Sequence, residues 1–188
     1  MTFTRRTFLA GLMGAFAAPA VAATQHPSVV FMQQVGKELL AAHRQGTTSS
    51  FLRVVQRYAD LPEISQNALG KYSAKLQSSQ RSRYQRGVAT YISRVFALQS
   101  RDFTVSKYDI GEATVDDDKD VIISTKVYLI SGQTYNVSWK LVWRGGRYKI
   151  RDAKVLGFWL TGFQRSDFVS YLDKRDGDIN KLIVALNG

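Results

Sequence analysis

Tyr135-Asn136-Val137-Ser138-Trp139-Lys140-Leu141-Val142-Trp143-Arg144-Gly145-Gly146-Arg147-Tyr148-Lys149-Ile150-Arg151 alternates between apolar and polar residues. Successive side chains of a strand point to opposite faces. Tyr135, Val137, Trp139, Leu141 and Trp143 therefore share one face, and Asn136, Ser138 and Lys140 share the other. Gly145-Gly146 supplies the positive φ angles that a tight hairpin turn needs. Tyr148 and Ile150 then resume the apolar face, with Lys149 and Arg151 opposite. Such a hairpin has one wet side and one side that must be covered.

The same period extends upstream. Val121, Ile123, Val127 and Leu129 share a face, with Thr125 between them and Ser124 and Lys126 opposite. Turn signals fall at Gly111, Asp116-Asp117-Asp118 and Ser131-Gly132. Residues 103–155 thus read as an antiparallel meander of about four strands. Asp116-Asp117-Asp118-Lys119-Asp120 has enough carboxylates for a hard cation but lacks the Gly and Glu of a calcium loop. Its place between two strands makes it a solvated hairpin turn.

Before the meander the period is helical. Phe31, Val35 and Leu39, widened by Leu40 and Ala42, predict a helix over 28–44 that ends at Gly46. Thr47 to Ser50 offer caps for a second helix carrying Phe51, Leu52, Val54, Val55 and Tyr58. Leu61-Pro62-Glu63 starts a third, closed near Gly70. Ser78 or Ser79 is the expected cap of a helix over 80–99. Its apolar positions Tyr84, Val88, Tyr91, Val95 and Leu98, beside Ala89, Ile92 and Phe96, make an unusually wide face. Arg81, Arg83, Arg86 and Arg94 lie opposite. Two short helices close the chain, with Ser166 or Asp167 capping the first and Asp178 the second. Helices on one face of a bent antiparallel sheet make an α+β domain. With helices across its mouth such a sheet forms a cone, which can enclose an apolar ligand.

No catalytic motif is present: no G-x-S-x-G, H-E-x-x-H, P-loop or C-x-x-C. The chain has no cysteine and two histidines, His26 and His43. Disulfides are therefore absent, little remains for a metal site, and no metal or cofactor is expected. Both histidines read as surface residues. Aromatic content is the stronger signal. Trp139, Trp143, Tyr148, Phe158, Trp159 and Phe163 crowd between positions 139 and 163. Together with the wide helix face they exceed the needs of a small core, and a buried hydrophobic ligand would use the surplus. Val88, Tyr91, Ile92, Val95, Trp139, Leu141, Trp143, Tyr148, Ile150, Phe158 and Trp159 are the candidate cavity wall. Ordinary core packing is the alternative for each.

Residues 1–22 read as a cleaved export signal, leaving 23–188 as one domain. Thr4-Arg5-Arg6-Thr7-Phe8-Leu9 is a twin-arginine pattern, followed by an apolar run over 8–18 and by Ala20-Val21-Ala22 as an A-x-A site. The run is too short for the ~20 residues of a spanning helix. The pattern leaves open whether export takes the twin-arginine or the general secretory route. The formal charge is +11. Export argues against nucleic acid as the partner, so anionic head groups or an acidic protein surface fit that charge, as does simple solubility.

Val137 to Val155, with its turn at Gly145-Gly146, resembles the paired strands of the MlaC family of periplasmic phospholipid-binding proteins. In that family a strand reads W/Y-K-V-x-D-V-x-V-x-G, and here Tyr148-Lys149-Ile150-Arg151-Asp152-Ala153-Lys154-Val155-Leu156-Gly157 stands in its place. The family's Y/F-R-S-x-F is matched by Phe163-Gln164-Arg165-Ser166-Asp167-Phe168, with Gln164 inserted. Leu69-Gly70-Lys71-Tyr72, the segment from Arg83-Tyr84 to Phe96, and the closing Leu182-Ile183-Val184-Ala185-Leu186 are similar in the same order. Phe158-Trp159 stands where the family has a smaller pair.

The resemblance implies a cystatin-like sheet of the nuclear-transport-factor type and no enzyme chemistry. It implies a soluble, monomeric periplasmic carrier of phospholipid between the outer and inner membranes, serving as the binding component of an ABC-type lipid transport system. An inner-membrane ABC complex with an MCE-domain protein and an outer-membrane lipoprotein would be its partners. A hopanoid or other polycyclic lipid is the alternative ligand, because a related branch sits with hopanoid biosynthesis. An enzyme on the same fold and a ligand-free periplasmic adaptor are the remaining alternatives. Arg165 is a candidate head-group or partner contact, with a surface ion pair as its other reading.

Overall fold

Pro27 opens the first helix because its missing N–H and fixed φ suit a first turn. In the computed structural model, which describes residues 25–116 and 120–188, α1 spans Pro27–Gln45. Gly46 ends it at φ +62°, its N–H reaching back to the Ala42 carbonyl at 3.0 Å. Thr47 Oγ1 accepts the Ser50 N–H at 3.2 Å and starts α2, Thr48–Tyr58. α3 is Leu61–Ala68, and a short 3-10 stretch follows over Gly70–Lys75. The long α4 covers Arg81–Asp102. Neither Ser78 nor Ser79 caps it. Both lie in a single 3-10 turn, where the Gln80 side chain accepts the Gln77 N–H at 2.9 Å. The expected export signal lies outside the described residues.

The sheet has five antiparallel strands in sequential order: β1 Val105–Val115, β2 Val121–Leu129, β3 Thr134–Arg144, β4 Arg147–Val155 and the two-residue β5 Phe158–Trp159. β5 is one more strand than the alternation predicts, because two residues are too few to show a period. Gly111 does not make a turn. It lies inside β1 where the register slips, and a Cβ there would come within 3.1 Å of the Ser124 carbonyl oxygen. A slip between β3 and β4 leaves Arg151 as an extra residue on β4, because Lys140 pairs with Asp152 while Leu141 pairs with Ile150. Bulges of this kind bend a strand and increase its twist.

α5, Leu160–Asp173, follows β5 directly, so Ser166 and Asp167 are interior residues rather than caps. Asp178 does cap α6, Ile179–Asn187, accepting the N–H groups of Asn180 (2.9 Å) and Lys181 (3.3 Å).

Two cores result. In one, α1, α2 and α4 cover the apolar face of β2 and β3 through Met32, Val35, Phe51, Ile123 and Leu141. In the other, α3, α4, α5 and α6 pack through Leu69, Tyr84, Val88, Phe168 and Leu172. α4 belongs to both. Close approach of α6 requires Gly87, since a Cβ there would lie 2.7 Å from that of Leu186. His43 is not a plain surface residue. It is half-buried, its Nε2 accepts the Val105 N–H at 3.0 Å, and burial holds its pKa below the usual value.

Candidate functional site

Between the two cores the packing does not close. A cavity of about 170 Å³ lies where α4 crosses from one core to the other. α4 contributes Tyr91, Ile92, Val95 and Phe96, and Leu39 of α1 with Val54, Val55 and Tyr58 of α2 adds a second wall. The sheet supplies Trp139, Ile150 and Ala153, and the start of α5 supplies Leu160, Thr161, Phe163 and Gln164. Ile150 and Ala153 both face inward because the bulge at Arg151 separates them by three positions instead of two.

The lining is almost wholly apolar, with one polar end. There Asp152 accepts from its neighbour's N–H (Ala153, 2.7 Å), from the Thr161 N–H (3.1 Å) and from the Thr161 hydroxyl. This carboxylate ties the first turn of α5 to β4. Arg151 turns away toward Glu63 (Nε to Oε1, 2.5 Å) and Asp120 (Nη1 to Oδ2, 2.7 Å). Asp120 and Asp116 also hold Lys140, at 3.5 and 2.8 Å. These two acids are therefore ion-pair partners rather than a solvated turn, and the expected Asp117, Asp118 and Lys119 lie outside the described residues. No group of three or more His, Cys, Asp or Glu is placed to hold a metal among the described residues.

Two phenols on the wall have fixed partners. Tyr91 donates to Asp167 at 2.7 Å, and burial together with that bond pushes its pKa up to about 12. Tyr58 donates to Glu38 at 2.7 Å and is raised by burial and the same kind of bond. The Trp139 indole donates to Thr125 Oγ1 at 3.1 Å, which anchors the ring and satisfies a buried hydroxyl.

A fold with an apolar cavity between helices and a bulged sheet invites comparison with known proteins. The family model described as MlaC protein matches residues 28–188. The chain belongs to the MlaC family. A curated relative, the toluene tolerance protein Ttg2D of Pseudomonas putida, is 22% identical over 151 residues, which is 80% of this chain and 70% of that protein. A solved structure with the same fold is a phospholipid-binding protein from Ralstonia solanacearum in complex with a phospholipid. It aligns with a TM-score of 0.68 at 19% identity, covering 87% of this chain and 95% of that one.

In this MlaC-family chain the residues expected on the wall separate into three groups. Tyr91, Ile92, Val95, Trp139 and Ile150 line the cavity. Val88 and Leu141 do not. Each is fully buried in one of the two cores, because helix and strand periodicity finds the inward face without saying whether that face meets protein or space. Trp143, Tyr148, Phe158 and Trp159 also lie off the wall. Trp143 is 59% exposed at the end of β3, edge-to-face with Tyr148, which packs on Phe31 of α1. Phe158 is 61% exposed, and Trp159 sits on the outer sheet face between Lys140 and Lys154. They leave the cavity because the chain turns at Leu156-Gly157, both at positive φ, before β5. Arg165 is exposed beside Gly70, with no ion pair among the described residues.

The α1 and α2 wall, Leu39, Val54, Val55 and Tyr58, is absent from the sequence-based set, as are Leu160 and Gln164. The stripe on α2 was visible. That it meets α4 across a gap is a tertiary fact.

Proposed function

We propose that this chain is a periplasmic carrier that holds the acyl chains of a phospholipid in the cavity and leaves the head group outside, beyond its polar end. The observation that carries the reading is the apolar cavity between the two cores, with its polar end around Arg151, Asp152, Thr161 and Gln164. Family membership and the phospholipid in the Ralstonia protein of the same fold support it. Each methylene moved into water costs ~0.8 kcal/mol, so two chains of fifteen or so carbons cost on the order of 20 kcal/mol to expose. A carrier has only to keep them dry, and no catalytic group is needed.

The described cavity is near the size of one that admits a benzene molecule (about 150 Å³). Two long acyl chains need more room than this, so on this reading loading parts the walls. Export through the twin-arginine-type segment delivers the chain to the periplasm. There an ABC-type complex with an MCE-domain protein and an outer-membrane lipoprotein are the partners that pass it lipid. Phe158 and Trp159, the pair that would suit flat rings, lie outside the cavity, which favours acyl chains over a polycyclic lipid.

Native mass spectrometry of the protein from its own periplasm, with lipid extraction alongside, tests this. An added mass matching a two-chain phospholipid is the expected result. A hopanoid mass would redirect the reading to that ligand, and a bare polypeptide would overturn it in favour of an adaptor or enzyme.

A further inference from the structure

Gln164 is on α5 in the cavity wall and is 6% exposed. Its Nε2 is buried with no hydrogen-bond partner. Native folds almost always pair such a donor, since an unmade bond forfeits its hydration with no return. General looseness of the wall does not explain it. Asp152 is met by Thr161, Tyr91 meets Asp167, Arg151 meets Glu63 and Asp120, and Trp139 meets Thr125. A water there would bridge only to the Asp152 and Thr161 end of the lining, and a ligand oxygen that displaces it meets the same donor. The terminal torsion of glutamine is broad, so the amide turns readily and can present its NH₂ group to the cavity.

The missing partner is a neutral oxygen acceptor on an otherwise apolar molecule, near the polar end of the cavity. A phosphate oxygen is disfavoured there. It would face the Asp152 carboxylate, while the nearby Arg151 is already held by two acids. The ester carbonyls of a diacyl lipid lie where chains join the head group, and they accept without carrying charge. We propose that the Gln164 side-chain amide donates to an acyl-ester carbonyl oxygen of the bound lipid and so sets the depth to which the chains enter. This rests on the lipid-carrier reading and adds to it a selectivity for ester-linked chains.

The test is competitive loading of the delipidated protein from an equal mixture of dioleoyl phosphatidylglycerol and its di-O-oleyl ether counterpart, read by native mass spectrometry. The ether lipid keeps the head group and chains but lacks the carbonyls. The wild-type protein takes the ester form in roughly tenfold excess, the discrimination of one buried hydrogen bond. In Gln164→Met, which keeps length and removes the donor, the excess of ester over ether lipid in what loads is lost. Equal loading of both lipids by the wild-type protein overturns the inference without any need of the variant, as does an unchanged preference in Gln164→Met. Loading of neither lipid overturns the carrier reading itself, and this inference with it.

Discussion

Ile92→Glu puts a carboxylate on the cavity wall, at the cost of the packing Ile92 makes on the α3–α6 core, which urea unfolding of the variant measures separately. Ile92 is half-buried on α4, makes no hydrogen bond through its side chain, and faces the cavity between Tyr91 and Phe96. Glutamate is a good helix former, so the helix itself tolerates the change. With the cavity empty, the carboxylate is hydrated and ionised. With hydrocarbon against it, the charge must be stripped of water or neutralised, and protonation is the cheaper route. From an unperturbed pKa near 4.3, protonation at pH 7 costs about 3.7 kcal/mol, a loss of roughly 500-fold in lipid affinity. At pH 5 the same step costs about 1 kcal/mol, or roughly fivefold. The penalty therefore grows by about 1.4 kcal/mol for each pH unit above the carboxylate pKa and vanishes as pH falls below it. Titration with a fluorescent phospholipid at the two pH values measures both terms. Leu98→Glu is the control, since Leu98 is 60% exposed on the same helix and off the wall. Equal lipid affinity for Ile92→Glu and wild type at pH 7 would refute the assignment of this cavity as the acyl-chain site.

Gly87→Ala should destabilise the protein by about 1–3 kcal/mol through overpacking against Leu186, although the same change usually favours a helix. Urea unfolding reads the sign directly, and a gain in stability would mean that α6 yields. Thr47→Ala should cost about 1 kcal/mol by removing the α2 cap, seen as a lower midpoint with an unchanged slope. Tyr91 favours its protonated form in the fold. Its contribution to stability is complete below about pH 10 and is lost as pH rises through about 12. The difference in stability between wild type and Tyr91→Phe across that range shows it, and a difference that does not change with pH would contradict the bond to Asp167.

Most of the architecture was legible because it rests on local rules. The helix bounds followed from caps such as Thr47, Gly46 and Asp178, and the sheet from the alternation of β2, β3 and β4. The failures share a cause. Gly111 and Arg151 are bulge residues, and a bulge breaks the period by which a strand is recognised. The start of α5 was missed because Trp159 gives it no side-chain cap. The wall was only partly legible for a different reason. Trp139 and Leu141 are two residues apart on one face of β3 and both pack in Met32's core, yet only Trp139 also borders the cavity. That difference depends on where α4 passes overhead, which no local pattern encodes.

The walls of the cavity are not equally stiff. The junction of α2 and α3 is bonded to β4 along its length: Ala59 bridges Ile150, the Asp60 N–H reaches the Ile150 carbonyl at 2.8 Å, and Lys149 grips the Arg57 carbonyl at 2.6 Å. Arg144 adds clamps to Asp60 and Glu63. Opposite, the leading turns of α5 are held to the sheet chiefly through one carboxylate, Asp152 on Thr161. A wall with one rigid side and one sprung side deforms where it is soft. Changes at Asp152 or Thr161, which themselves border the cavity, would alter at once how far that wall yields and the surface it presents.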